Sequence, residues 1–246
     1  MAKFITKFNT TAEFATFSAT TNFGRPHVSL TEDDSKVHYF GDPYNGHQYV
    51  EIGGLKWATM NIGASQPSDY GLYFAWGDTQ GYTAEQVGSG EGKKYFGWAD
   101  YKHGNGTSSP GETGMTKYNE TDGKTILEAV DDAAVANWGG SWRMPTTAEF
   151  QALGAAVNTE WTQVNNVYGI LCTDKTDKSN TLFFPAAGSC YNGIVGDVGN
   201  EGVYWSSSLD TDGSKYAYSL YLDRINDYWG GGSDRCTGYP VRPVAG

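Results

Sequence analysis

Apolar and polar residues alternate over residues 218–223. Tyr218, Leu220 and Leu222 fall on one face of a predicted strand, and Ser219, Tyr221 and Asp223 on the other. The whole C-terminal stretch, residues 202–244, overlays two sets of residues in this way. Tyr204, Trp205, Ala217, Leu220, Leu222, Trp229, Gly238, Val241, Arg242 and Val244 read as scaffold. Ser219, Tyr221, Asp223, Ile225, Asn226, Asp227, Tyr228, Gly230, Gly231, Gly232, Ser233, Asp234, Cys236 and Thr237 read as a surface, a strand face running into a loop rich in Gly and Tyr. Binding loops favour these residue types, because Tyr offers rigid contact area and the small polar residues adapt their hydrogen bonds. An ordinary half-exposed edge hairpin carries the same pattern.

Two helices are predicted upstream. Ile126, Leu127, Val130, Ala133, Ala134 and Trp138 form a partial helical face that Gly139 and Gly140 end, which places one helix near residues 125–137. Thr146 and Glu149 make a capping box ahead of a stripe of Phe150, Leu153 and Val157, which places the other near 146–157. Short strands are expected at 49–52, 167–173, 181–185 and 189–192, so the class is α+β. Residues 78–118, rich in Gly, Thr and Ser, read as a long exposed loop. Residues 1–48 form a separate segment. A capping box at Thr10 and Glu13 starts a short helix, and 27–30 and 36–40 read as strands around an acidic turn. That piece is too small to bury a core, so it is expected to serve attachment or oligomerisation ahead of a domain at 49–246.

Composition narrows the function classes. A net charge of -11 over 246 residues argues against nucleic acid or an anionic membrane surface as partner. No apolar run is long enough to insert in a membrane. The N-terminus lacks a secretory core, so the chain is expected to be made in a cytosol or to have lost a leader. Cys172, Cys190 and Cys236 show neither a disulfide framework nor metal-ligand spacing and are expected as buried free thiols. His27, His38 and His47 also lack metal spacing. No Ser-His-Asp order, nucleophile elbow or phosphate loop is present, so a non-enzyme without metal or cofactor is expected.

Six stretches stand in order over residues 55–244: LKWATMNIGA, DYGLYFAWGD, DDAAVANWGGSWRMPTTAEFQAL, FFPAAGS, YWSSS and GYPVRPV. Together they resemble the Fibrobacter succinogenes major paralogous domain, a branch of the C-type lectin fold related to formylglycine-generating-enzyme domains. The resemblance implies two helices packed on small twisted antiparallel sheets, long loops, and a C-terminal hairpin presenting a binding face. Residues 204–239 resemble the variable region of proteins diversified by retroelements, in which template adenines, mostly in asparagine codons, are mutated. Such changes cannot yield Lys, Glu, Gln, Met or Trp, and of these five residues 216–239 hold only Trp229. By resemblance Trp205, Trp229, Gly238 and Val241 would be supports. The surface set from Ser219 to Thr237 would contact ligand, Arg224 could belong to either set, and Leu209, Asp210 and Tyr216 would be upstream candidates, Tyr216 among the contacts.

The implied function is a receptor-binding protein, a phage tail-fibre tip or adhesin carried on the virion and recognising a bacterial surface molecule. It would work as a trimer or docked on a larger fibre. A bacterial cell-surface binding module and a degenerate enzyme of the formylglycine-generating type are the alternatives. Calcium-dependent lectins of this fold use Glu-Pro-Asn or Gln-Pro-Asp and a later Trp-Asn-Asp. Here Gln66-Pro67-Ser68-Asp69 carries an intervening Ser and Ile225-Asn226-Asp227 lacks the Trp, so a turn is expected at 66–69. The enzymes use two cysteines near the C-terminus, where this chain has only Cys236.

Overall fold

The computed structural model describes residues 44–246 in full and, before them, the backbone of two short strands. These strands, β1 (Val28–Leu30) and β2 (Val37–Tyr39), pair antiparallel where strands were expected. The helix expected after Thr10 lies outside the described residues. The rest is a mixed α+β arrangement of short antiparallel sheets and two helices.

Turn chemistry sets most of the hairpins. β3 (Tyr49–Ile52) and β4 (Leu55–Ala58) are joined by Gly53 and Gly54, with φ of 63° and 83°, the left-handed pair that a tight hairpin turn needs. β13 (Val244–Ala245) returns from the far end of the chain to pair with β4. β5 (Val157–Val164) and β6 (Val167–Asp174) are joined by Asn165 and Asn166, both left-handed, and β7 (Thr181–Pro185) completes that sheet. β5 was not among the expected strands, because its exposed face is polar throughout. β8 (Ser189–Tyr191) and β9 (Ile194–Gly196) form a small hairpin. β10 (Glu201–Leu209), β11 (Tyr216–Asp223) and β12 (Asp227–Asp234) form the C-terminal sheet in that order.

The second predicted helix appears as α2 (Thr147–Ala156), with the Thr146–Glu149 box formed and Phe150 and Leu153 buried. The first is much shorter than expected. Only α1 (Ala133–Trp138) is α-helical, after a 3-10 turn at Ala129–Asp131, because the Asp132 carboxylate accepts from the Ala134 and Val135 amides and starts it there. Upstream, Leu127 donates to the Ser207 carbonyl and Leu209 to the Thr125 carbonyl, so this segment lies along β10 as an extended chain, and Val130 is exposed. Residues 78–118 hold no regular strand. They are not an exposed insertion either, since Phe96, Tyr101, Met115 and Tyr118 from this stretch are buried. All three cysteines are buried free thiols, as expected, and burial pushes Cys190 up to about 12.

Two cores clamp the C-terminal sheet. One gathers Phe74, Trp76, Val203, Trp205, Ala217, Tyr239 and Val241; the other gathers Trp57, Phe150, Phe184, Tyr204, Leu220 and Leu222. The registers Val203↔Tyr221 and Trp205↔Ser219 put the first core on one face, while Tyr204↔Leu220 and Gly202↔Leu222 put the second on the other. Two fully buried arginines tie the loops around these cores. Arg242 donates to Asn61 Oδ1 at 2.9 Å, to the carbonyls of Ala58 and Thr59 at 3.2 Å each, and to that of Phe183 at 3.0 Å, with its guanidinium 4.8 Å from the Phe184 ring centre. Burial lowers its pKa to about 10, which leaves it cationic at neutral pH. Arg235 donates to Tyr101 Oη and to the carbonyls of Lys117, Tyr118 and Ser214, and lies over Trp76.

Removing the Arg242 guanidinium leaves several buried acceptors without donors, each costing about 1–3 kcal/mol. Arg242→Met is expected to lower unfolding stability by roughly 3 kcal/mol or more. Arg242→Lys is expected to rescue little of it, because one ammonium cannot fan to acceptors on both the 58–61 segment and Phe183. Urea midpoints check both; a loss within about 0.5 kcal/mol, as for ordinary surface changes, contradicts the assignment.

Candidate functional site

The alternation over residues 218–223 sets the register correctly, since Leu220 and Leu222 are fully buried. The other face is not open, however. Ser219 is buried beside Trp205, and its hydroxyl lies 3.2 Å from the Gly231 carbonyl and 3.0 Å from Ser233 Oγ. Ser219 is therefore not a surface residue, because the second face meets a core of its own. Cys236 and Thr237 are also buried, Cys236 in a third cluster with Phe96, Tyr101 and Cys190. The upstream candidates Leu209 and Asp210 are buried as well.

The glycines divide for a related reason. A Cβ on Gly232 would strike the Asp210 carboxylate, and one on Gly230 would press on Gln151 Nε2 at 3.2 Å; Gly231 alone faces open space. The atoms met are the ends of the flexible Asp210 and Gln151 side chains, and Gly232 is itself exposed while Gly230 and Gly231 are half-buried. Trp229 behaves as the expected support. It packs against the second core and lies on Gly154 of α2, where a Cβ would come within 2.6 Å of the indole.

What remains exposed is the end of the hairpin. Asp223 accepts the Ile225 and Asn226 amides at 2.6 Å each and donates its own amide to the Asn226 carbonyl, which closes the turn. These amide bonds hold the Asp223 carboxyl below its ordinary range. The turn presents Arg224, Ile225, Asn226, Asp227 and Tyr228 to solvent, with Ile225 87% and Tyr228 57% exposed. The Tyr221 and Tyr228 rings pack at a 6.0 Å centroid distance, and Tyr221 is half-buried against the first core. Asp227 accepts from Thr159 Oγ1 at 3.2 Å. Tyr216, Ser233 and Asp234 are half-buried at the other end of the sheet, where Tyr216 pairs with Asp234; Tyr216 lies seven residues along β11 from Asp223, roughly 23 Å. The predicted set is therefore divided among an exposed tip, a middle in which Ser219 is buried while Gly230 and Gly231 are half-buried and Gly232 is exposed, and a half-buried distal end followed by the buried Cys236 and Thr237.

Sequence reasoning missed Glu201, whose carboxylate accepts from the Tyr221 hydroxyl at 2.9 Å. Burial and the bonds to Glu201 and Asp223 raise the Tyr221 phenol. It also missed the exposed apolar residues that the β8–β9 hairpin and the turn after it contribute: Tyr191, Ile194 and Val198. The Asn192-Gly193 pair, a strong hairpin turn signal, was the available cue.

Elsewhere a shallow polar cavity of about 310 Å³ is lined by Asp78, Thr79, Gln80, Tyr82, Lys94 and Lys102. Lys102 reaches from it to Asp131, which also accepts from Lys117 and Tyr118 Oη. Among the described residues no group of three or more His, Cys, Asp or Glu is placed to hold a metal ion. No helix among them is long and apolar enough to cross a membrane. Comparison of the chain with protein-family models, with curated proteins and with solved structures finds no match.

Support and surface should separate in stability measurements. Trp229→Ala is expected to cost about 3 kcal/mol. Replacing Ile225, Asn226 and Tyr228 together with Ala is expected to stay within about 0.5–1 kcal/mol of the parent. Asp223 is left out of that set because its carboxylate builds the turn. Thermal melts decide it: a large loss in the triple variant would place the tip in the core.

Proposed function

We propose that the protein is a receptor-binding protein of C-type lectin fold, diversified by a retroelement through its C-terminal hairpin, residues 204–239. It serves as a phage tail-fibre tip or adhesin that recognises a bacterial surface molecule. The observation that carries this reading is the hairpin end. Ile225 and Tyr228 stand in solvent on strands clamped between two cores, so exposed contact area sits on a rigid support. The order of the six sequence stretches supports the fold, and the α+β arrangement with short antiparallel sheets is compatible with it. The tip carries Tyr, Ile, Asn and Asp, residues suited to recognition rather than to bond chemistry.

The reading extends to assembly. A face selected only among random variants binds weakly as a single copy, and linked copies raise effective affinity by about 10² to 10⁴. Residues 1–48 would supply that linkage, as a trimer or on a larger fibre. A full-length chain that is monomeric by light scattering would remove this part.

Binding of the labelled full-length protein to a panel of bacterial cells tests the main reading. Ile225→Asp with Tyr228→Ala is expected to weaken binding to responsive cells by about tenfold or more while leaving the melting temperature nearly unchanged. Undiminished binding by that variant would move recognition away from the hairpin.

A further inference from the structure

The polar cavity beside residues 78–82 uses none of the hairpin residues, and its frame is fixed. Gly77 is left-handed, with φ of 85°, and a Cβ there would come within 2.9 Å of the His103 ring. Tyr73 and Tyr82 exchange both backbone bonds, at 2.9 and 3.0 Å, and Asn137 Nδ2 donates to the Thr79 carbonyl at 2.9 Å. A frame of this kind sets its side chains before any ligand arrives.

Asp78 stands in the cavity wall, its side chain 12% exposed, with few donors. A carboxylate has about four lone-pair sites. Its ion-pair partner is Lys94 Nζ at 3.4 Å, and that ammonium is shared with the Asp100 carboxylate at 3.4 Å and the Asp100 carbonyl at 3.1 Å. Burial accordingly pushes the Asp78 carboxyl above its ordinary range, against the pull of Lys94. Lys102 brings the opposite charge with capacity to spare. It donates to the Gly77 carbonyl at 3.1 Å and to Asp131 Oδ1 at 2.6 Å, and an ammonium has a third donor. The side chains of Thr79, Gln80 and Tyr82, also in the wall, make no hydrogen bond among the described residues.

An anion entering this cavity meets Asp78, and a cation meets Lys94 and Lys102. A molecule carrying both signs finds a partner for each, through charge-assisted hydrogen bonds. A volume of about 310 Å³ admits only a small one. We propose that the cavity binds a small zwitterion, a free α-amino acid or a phosphoethanolamine headgroup, with its ammonium on Asp78 and its anionic group on Lys102. This second site goes beyond the receptor-binding reading and does not rest on it.

Amide shifts of the isotope-labelled full chain, titrated with glycine, alanine, serine, glutamine and phosphoethanolamine, test this. At least one is expected to shift the amides of residues 78–82 and 102 saturably. For an amino acid that binds, the N-acetyl form lacks the ammonium and the amide form lacks the carboxylate; each is expected to bind about tenfold more weakly. Tighter binding of phosphoethanolamine than of any amino acid assigns the headgroup as the source, and the reverse assigns the free amino acid. Asp78→Asn is expected to weaken the zwitterion by about tenfold and to leave the N-acetyl form unchanged. Glu120→Gln, at an exposed acid, is the control and is expected to lose less than about twofold. Ile225→Asp with Tyr228→Ala is expected to bind the zwitterion as the parent does, which keeps this site distinguishable from the hairpin. No saturable shift from any of the five probes overturns the proposal, as does binding of the N-acetyl and amide forms equal to that of the parent amino acid. The derivative series uses the unaltered chain, so it decides the matter even where Asp78→Asn fails to fold.

Discussion

Two guanidinium groups, buried without a carboxylate and satisfied largely by backbone carbonyls, hold the loop-rich parts of this protein in place. Loops cannot satisfy their own carbonyls as a helix does, and each buried carbonyl left without a donor is costly. Arg242 collects acceptors from residues 58, 59, 61 and 183, and Arg235 collects them from 101, 117, 118 and 214. A guanidinium offers five donors in one rigid plane and remains charged when desolvated. An aromatic ring against each plane, Phe184 and Trp76, supplies what solvent would otherwise give the cation. This explains how a chain with few helical residues keeps long irregular segments packed.

The clamp around the C-terminal sheet follows from that anchoring. Arg235 fixes the point where β12 leaves the sheet, and Arg242 fixes the strand that brings Val241 and Val244 into the two cores. Both faces of β11 are therefore occupied over most of its length. Only its tip, beyond the reach of either core, is free to carry side chains chosen for something other than packing. Ile225 and Tyr228 stand there, while Ser219, two registers away, is closed in. Exposed side chains and scaffold are divided along the length of the hairpin rather than between its faces.

That division marks the limit of what could be read from the residues in order. Alternation identified the strand and its register, and the Thr146–Glu149 box identified α2, because both signals are local. The left-handed turns at Asn165 and Asn166 and at Asn192 and Gly193 were also written in the sequence, beside the strands expected at 167–173 and 189–192. The burial of Ser219 and Cys236 could not be read locally, since what covers them comes from residues 74, 96 and 205 and from a second sheet face. The first helix failed for a comparable reason. Its apolar spacing at Ile126 and Leu127 serves pairing with β10, and Asp132 starts the true helix later. Glu201 escaped because its role is defined only by the strand opposite.

The pairing of β13 with β4 gives the chain an order of events during its synthesis. Arg242 and Asn61 are 181 residues apart, and β4 waits for Val244 and Ala245 to complete its sheet. At about 5–20 residues per second, the ribosome takes on the order of 10–40 s to deliver that partner. Through this interval the carbonyls of residues 58 and 59 lack their guanidinium, and Trp57 lacks the strand that covers it. Contacts so distant along the chain also close slowly. Until that partner arrives, β3 and β4 stand as an open two-stranded hairpin with the Trp57 indole uncovered, an aggregation-prone surface of the kind that transiently incomplete sheets expose.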